Sequence, residues 1–136
     1  MTQSPEMPVP QSSIAIVTEW IAKAYGDVRV AQRENALGSK GSTDAVTFHC
    51  QQAIEKLLKG LLAKSGTEPP HIHDLPQLSR LVREIDPRWD WSIDELRFLS
   101  FGAVQSRYPG TTASLQDSNE AFALTLRMWI AISALY

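Results

Sequence analysis

Ile14, Val17, Ile21, Ala24, Val28 and Ala31 recur at alternating steps of three and four. That spacing is the apolar stripe of an amphipathic helix, which the pattern carries to about Asn35. Gly38, Ser39, Gly41 and Ser42 break it. A second helix is predicted from Thr43 or Asp44 to Lys64, closed by Gly66 and the pair Pro69 and Pro70. With about 100° between successive residues, Cys50, Ala53, Ile54, Leu57, Leu58 and Leu61 share one apolar arc, while His49, Gln52, Lys56 and Lys59 share a polar one. Asp74 and Gln77 have capping-box spacing, and Leu75, Leu78, Leu81, Val82 and Ile85 follow at helical period, so a third helix is predicted over 74–85 with Pro76 in its first turn. After Asp86 and Pro87, the pair Ser92 and Glu95 opens a fourth helix through Leu96, Leu99 and Ala103 to about Ser106, ended by Tyr108, Pro109 and Gly110. A fifth begins near Asp117 or Ser118 and runs to the C-terminus. Phe122, Leu124, Leu126, Met128, Trp129, Ile130, Ile132 and Leu135 make it apolar nearly all round. It is expected to be the central core helix or to lend a second face to a partner subunit.

No stretch alternates with period two, so the fold class is all-α, an up-and-down bundle of four to five helices. At 136 residues one core is expected. Residues 14–136 form that domain, behind a flexible arm over 1–13 that carries Pro5, Pro8 and Pro10 and nothing periodic to bury. The last helix holds Glu120, Thr125 and Arg127 and is too short and polar to span a bilayer, which takes about twenty apolar residues. A net charge of −2 excludes the overall basicity of a duplex-DNA binder, so an anionic ligand would have to be held locally. The single cysteine, Cys50, excludes an intrachain disulfide, and Met1 to Ser13 lacks the basic and apolar regions of a signal peptide, so the cytoplasm is the expected compartment. Charge is uneven: residues 20–66 hold seven basic and four acidic residues, and residues 67–99 hold four and seven. The first hairpin is thus mildly positive and its counterpart mildly negative.

Candidate chemistry is sparse. His71, His73 and Asp74 offer nitrogen and oxygen ligands to a metal, but no fourth ligand is evident, and neither metal nor cofactor is expected. Cys50 adjoins His49, yet successive helical residues diverge and Cys50 falls on the apolar arc, where packing is its expected role. Nucleophile elbows, phosphate-binding glycine loops and paired-carboxylate spacings are missing. Arg107 closes the fourth helix, where it suits the helix dipole or grips a phosphate or carboxylate bidentately. Asp27 sits at the edge of the first helix's stripe, and a half-buried carboxylate there needs a partner, Lys56 or Gln52.

Phe48-His49-Cys50-Gln51-Gln52-Ala53 with Glu55-Lys56 and Leu58-Lys59, then His73-Asp74-Leu75, then Arg107-Tyr108-Pro109-Gly110, taken in order, resemble the prokaryotic HEPN domain. Trp20, Ala24 and Asp27 extend the resemblance, which covers residues 14–136. It implies a four- or five-helix bundle that pairs into a homodimer, often encoded beside a small nucleotidyltransferase in a toxin–antitoxin-like or regulatory pair. It also implies nucleotide binding. Many members are metal-independent ribonucleases that use an arginine followed four to six residues later by a histidine. Here no histidine follows any arginine within seven positions, so that catalytic pair is not carried over and no catalytic residue is assigned.

Three expectations follow. The first is a non-catalytic module in which His49, Gln52, Lys56, Lys59, His73, Asp74, Arg107 and Tyr108 hold nucleotide phosphate or dock a nucleotidyltransferase. The second is an RNA-cleaving toxin with a non-standard site assembled from His49 or His73 with Arg107. The third makes the cluster of Gln51, Gln52, Glu55 and Lys56, with Asp27 alongside, a structural polar network that fixes helix register.

Overall fold

The computed structural model describes residues 11–105 and 108–136. Five α-helices make up the described fold: α1 Gln11–Ala36, α2 Thr43–Lys64, α3 Leu75–Ile85, α4 Ile93–Gln105 and α5 Leu115–Ser133, with a short 3-10 turn at Gly38–Lys40 and no strand among the described residues. Helix α1 starts at Gln11, ahead of the Ile14 start that the hydrophobic stripe marks, and residues 1–10 of the expected arm lie outside the described residues.

Each boundary has a local cause. Ser42 caps α2 by accepting from the Ala45 N–H, Asp74 caps α3 through the Gln77 N–H, and Ser92 Oγ takes the Glu95 N–H at the head of α4. These are the side-chain caps that orphan amides at a helix start require. The fifth helix begins two residues before the sequence placed it, because Ser114 accepts from the Asp117 N–H. Between α1 and α2 the chain passes so close to itself that a Cβ at Gly41 would strike the Glu34 carbonyl.

Helix α2 is the centre of the bundle, in contact with each of the other four. Its apolar arc is buried throughout, with Cys50, Ala53, Ile54 and Leu58 fully enclosed. The core extends to Leu75 and Leu78 of α3, Leu96 and Leu99 of α4, and Leu124, Met128 and Ile132 of α5. Trp89, in the connection after α3, also plugs this core, and its indole N–H donates to Ser79 Oγ at 2.9 Å. The apolar girdle of α5 is only partly covered. Leu126 is 40% and Ile130 72% exposed, because α2, with the flanks of α1 and α4, occupies one side of the helix and none of the described residues covers the other. Ile14 and Ile85, counted on apolar stripes in the sequence, lie exposed at the outer ends of their helices.

Gly60 marks the tightest crossing. A Cβ there would collide with the Tyr136 hydroxyl and press on Cβ of Trp20 at 3.2 Å, while that hydroxyl donates to the Leu57 carbonyl at 2.5 Å. Alanine is the better helix former, yet Gly60→Ala is expected to destabilise the fold by about 1–3 kcal/mol through overpacking. The cost should shrink in a Tyr136→Phe background, which removes the colliding oxygen; urea unfolding of the four chains of that cycle is the measurement.

Candidate functional site

The polar arc of α2 meets α1 at one buried carboxylate. Asp27 is 7% exposed and faces α2 across the helix pair. His49 Nδ1 lies 2.7 Å from its Oδ1, and Lys56 Nζ donates to its Oδ2 at 2.5 Å. His49 and Lys56 are two helical turns apart, so both project from the same side of α2 onto the one acid. With Asp27 ionised, Nδ1 carries the imidazole hydrogen, which leaves Nε2 as acceptor in the neutral ring. Of the two partners foreseen for Asp27, Lys56 is the one found, and Gln52 instead donates to Gln51 Oε1 at 2.8 Å.

A second buried carboxylate, Glu55, organises the neighbouring strip of α2. Gln51 Nε2 donates to Oε1 at 2.9 Å, while Lys59 Nζ at 3.0 Å and His73 Nδ1 at 2.9 Å both reach Oε2. Gln51 Nε2 spends its second hydrogen on the His73 carbonyl at 3.1 Å, so one amide fastens the loop before α3 to the helix. Burial pushes the Glu55 carboxyl up, but the hydrogen bonds from Gln51, His73 and Lys59, together with the charge of Lys59, outweigh it and hold the group below the ordinary glutamate value. Counting charges, each cluster pairs one carboxylate with one ammonium and is neutral when its histidine is uncharged.

The remaining candidates are dispersed. Asp74 is used as the α3 cap, Tyr108 is exposed beyond the end of α4, and Arg107 lies outside the described residues. Cys50 is fully buried, and that burial pushes its thiol up to about 12 although the Thr125 hydroxyl beside it pulls the other way, so it is no thiolate nucleophile. His73 is turned to Glu55 and Asp74 to its own helix, and among the described residues no group of three His, Cys, Asp or Glu side chains is placed to hold a metal.

The sequence reading missed a groove of about 400 Å³ where the start of α1 passes the loop after α2. Trp20, Lys59, Thr67, Glu68, Pro70 and His71 are among the residues that line it. Trp20 and Lys59 were legible as helix positions, but Thr67 and His71 belong to a loop, where no periodicity says which way a side chain faces. Lys59 is thus shared, fastened to Glu55 at the base of the second cluster and forming part of the groove wall.

The pH dependence of stability follows from Glu55. A carboxyl held below its unfolded value, about 4.3, stabilises the fold above that pH, and the contribution disappears as pH falls through the folded value. Urea midpoints are therefore expected to drop on acidification below about pH 4, and Glu55→Gln should flatten that dependence. At neutral pH the same substitution leaves Lys59 buried without its counter-charge and should cost about 3 kcal/mol.

Comparison with known proteins bears on the whole arrangement. The crystal structure of TT1696 from Thermus thermophilus superposes with a TM-score of 0.69 at 20% identity, covering 87% of this chain and 96% of that one. The crystal structure of ST0689, an archaeal HEPN homologue, superposes with a TM-score of 0.63 at 22% identity, covering 88% and 96%. At these identities the likeness is one of fold. No curated protein matches the chain. The HEPN domain family model matches residues 17–131, which takes in all of α2, α3 and α4, and the chain belongs to the HEPN domain family.

Proposed function

We propose that this chain is a non-catalytic HEPN module that holds a phosphate-bearing nucleotide in the groove at the Lys59 end of α2, acts as a homodimer, and works with a nucleotidyltransferase. The observation that carries the ligand part is the setting of Lys59. Its ammonium has three donors and gives one to Glu55, which leaves two uncommitted to any acceptor among the described residues, and the residue forms part of the groove wall. Fixed in place by Glu55, it loses little side-chain freedom when a ligand arrives. The half-buried ring of Trp20 supplies a face for a base, and the Thr67 hydroxyl and His71 imidazole supply further polar contacts on the same wall. A volume of about 400 Å³ suits a ligand of that size.

What supports the homodimer is the uncovered side of α5. Phe122, Leu126 and Ile130 repeat at steps of four along it, half-buried Trp129 lies three residues after Leu126, and Tyr25 of α1 adds its ring 6.3 Å from that of Trp129. A contiguous apolar strip of this kind is what a second copy of a helical subunit covers. The nucleotidyltransferase is carried over from the family, many of whose members stand beside one. The ribonuclease reading draws no support from the geometry. His49 and His73 turn their Nδ1 atoms to different carboxylates, and no described arginine shares either cluster.

Calorimetric titration with ATP and with GTP is expected to give saturable heat, weakened about tenfold or more by Lys59→Met, the effect of losing one charge-assisted contact. Lys40→Ala should bind as the wild type does. Absence of heat with both nucleotides, or unchanged affinity in a Lys59→Met protein whose helical circular dichroism is intact, would remove the site. Sedimentation equilibrium should report a dimer for the wild type and a monomer for Ile130→Glu; a wild-type monomer would end the homodimer reading.

A further inference from the structure

The stretch 67–99 is acidic in sum, yet the fold gathers three of its four basic residues around one groove. Arg80 and Arg83 stand one turn apart on α3, Arg97 reaches from α4, and Pro76, Trp91 and Ile93 supply apolar surface between them in a groove of about 370 Å³. None of these residues belongs to the α2 clusters or to the groove beside Trp20. The arginines are also weakly committed. Arg83 approaches Asp90 at 3.4 Å and Arg97 approaches Asp94 at 4.0 Å, in pairs whose four side chains are all more than 60% exposed, and Arg80 has no ion pair among the described residues. Exposed pairs of that kind are weak and give way readily to a better acceptor. The aspartates show which chemistry suits the site, since guanidinium already meets carboxylate there.

The structure points to this groove as a docking site for an acidic segment of a protein partner, and we propose an extended peptide with glutamate or aspartate side chains flanking an apolar one. Each part of such a segment has a counterpart. Carboxylates meet the planar guanidinium forks, which hold them bidentately where an ammonium would not. An apolar side chain meets Ile93, which is 45% exposed, and the ring of Trp91. The Trp91 ring lies against Trp89 at 5.5 Å and 13°, a stack fastened below by the Trp89 bond to Ser79, so this wall is rigid before any ligand arrives. The Trp91 indole N–H is buried with no partner among the described residues. Inorganic phosphate uses the arginines and leaves the apolar wall idle. A nucleic acid strand brings a repeating charge toward a chain of net −2 and meets only one groove-lining aromatic ring, where strand-tracking surfaces offer several.

Fluorescence anisotropy of a short fluorescein-labelled peptide rich in glutamate and leucine tests it, with the full chain as titrant. Saturable binding that weakens with salt is expected, and Arg80→Ala with Arg83→Ala should reduce affinity about tenfold or more, while Lys40→Ala, an exposed position far along the sequence from this groove, leaves it unchanged. Both arginines are on the surface of α3, so the double variant should retain its helical circular dichroism. A peptide of the same length with lysine for glutamate should not bind. The proposal is overturned if the acidic peptide shows no saturation, if the double variant binds it as the wild type does, if the lysine peptide binds equally, or if a labelled single-stranded oligonucleotide or inorganic phosphate competes the acidic peptide off at lower concentration than the unlabelled peptide does.

Discussion

Two ionised carboxylates inside a helical bundle set the terms for everything packed around them. Asp27 and Glu55 are both nearly removed from solvent, and a charge so placed must be met by opposite charge and hydrogen bonds or it unfolds its surroundings. The bundle meets both demands mainly from α2, with His73 of the loop before α3 adding to Glu55. His49 and Lys56 reach across to α1 and Gln51 and Lys59 stay on α2, so the polar face of α2 is interior on two sides. A slide of α1 by one residue would swing Asp27 away from both donors at once. The close crossing of Gly60 and Trp20 constrains the same helix pair sterically, and the two bonds to Asp27 add a directional requirement to it.

The helices were legible because their signals are local and periodic. The stripes on α1 and α2, and the cap pairs Asp74 with Gln77 and Ser92 with Glu95, each lie within a few residues of the boundary they set. Ser114 was passed over since the three-residue cap spacing occurs often in polar segments and nothing nearby singles it out. Which helix is central was harder. Apolar residues all round α5 left two places for it, the middle of the bundle or a seam with a partner subunit, and it is α2, with a conspicuous polar side, that holds the middle. A helix whose polar face is matched by carboxylates can be buried as thoroughly as a purely apolar one, and hydrophobicity counts do not register the matching.

The site was legible to a similar degree and for the same reason. Pairing Lys56 with Asp27 needed only the angular spacing of two helices and the rule that a half-buried acid needs a donor, whereas His49, read on the same arc as Lys56, was not set against that acid. Tying His73 to Glu55 needed the path of the loop over 65–74, where one carbonyl accepted by Gln51 decides the geometry and no periodicity reveals it. Charge sums over segments misled in a further way. The acidic total of residues 67–99 hid a cationic groove, because a helix sorts its charges by angle and a linear sum discards the angle.

Cys50 offers a use that comes from its inertness. Its sulfur sits between α2 and α5 against Thr125, with the thiolate strongly disfavoured, so an alkylating reagent has neither access nor a nucleophile while the two helices stay together. Labelling can proceed only during moments when they part. The chain thus carries, without any engineered probe, a native clock for how often its most central contact opens, and a bound molecule that steadies the bundle would slow that clock even if it bound far from the sulfur.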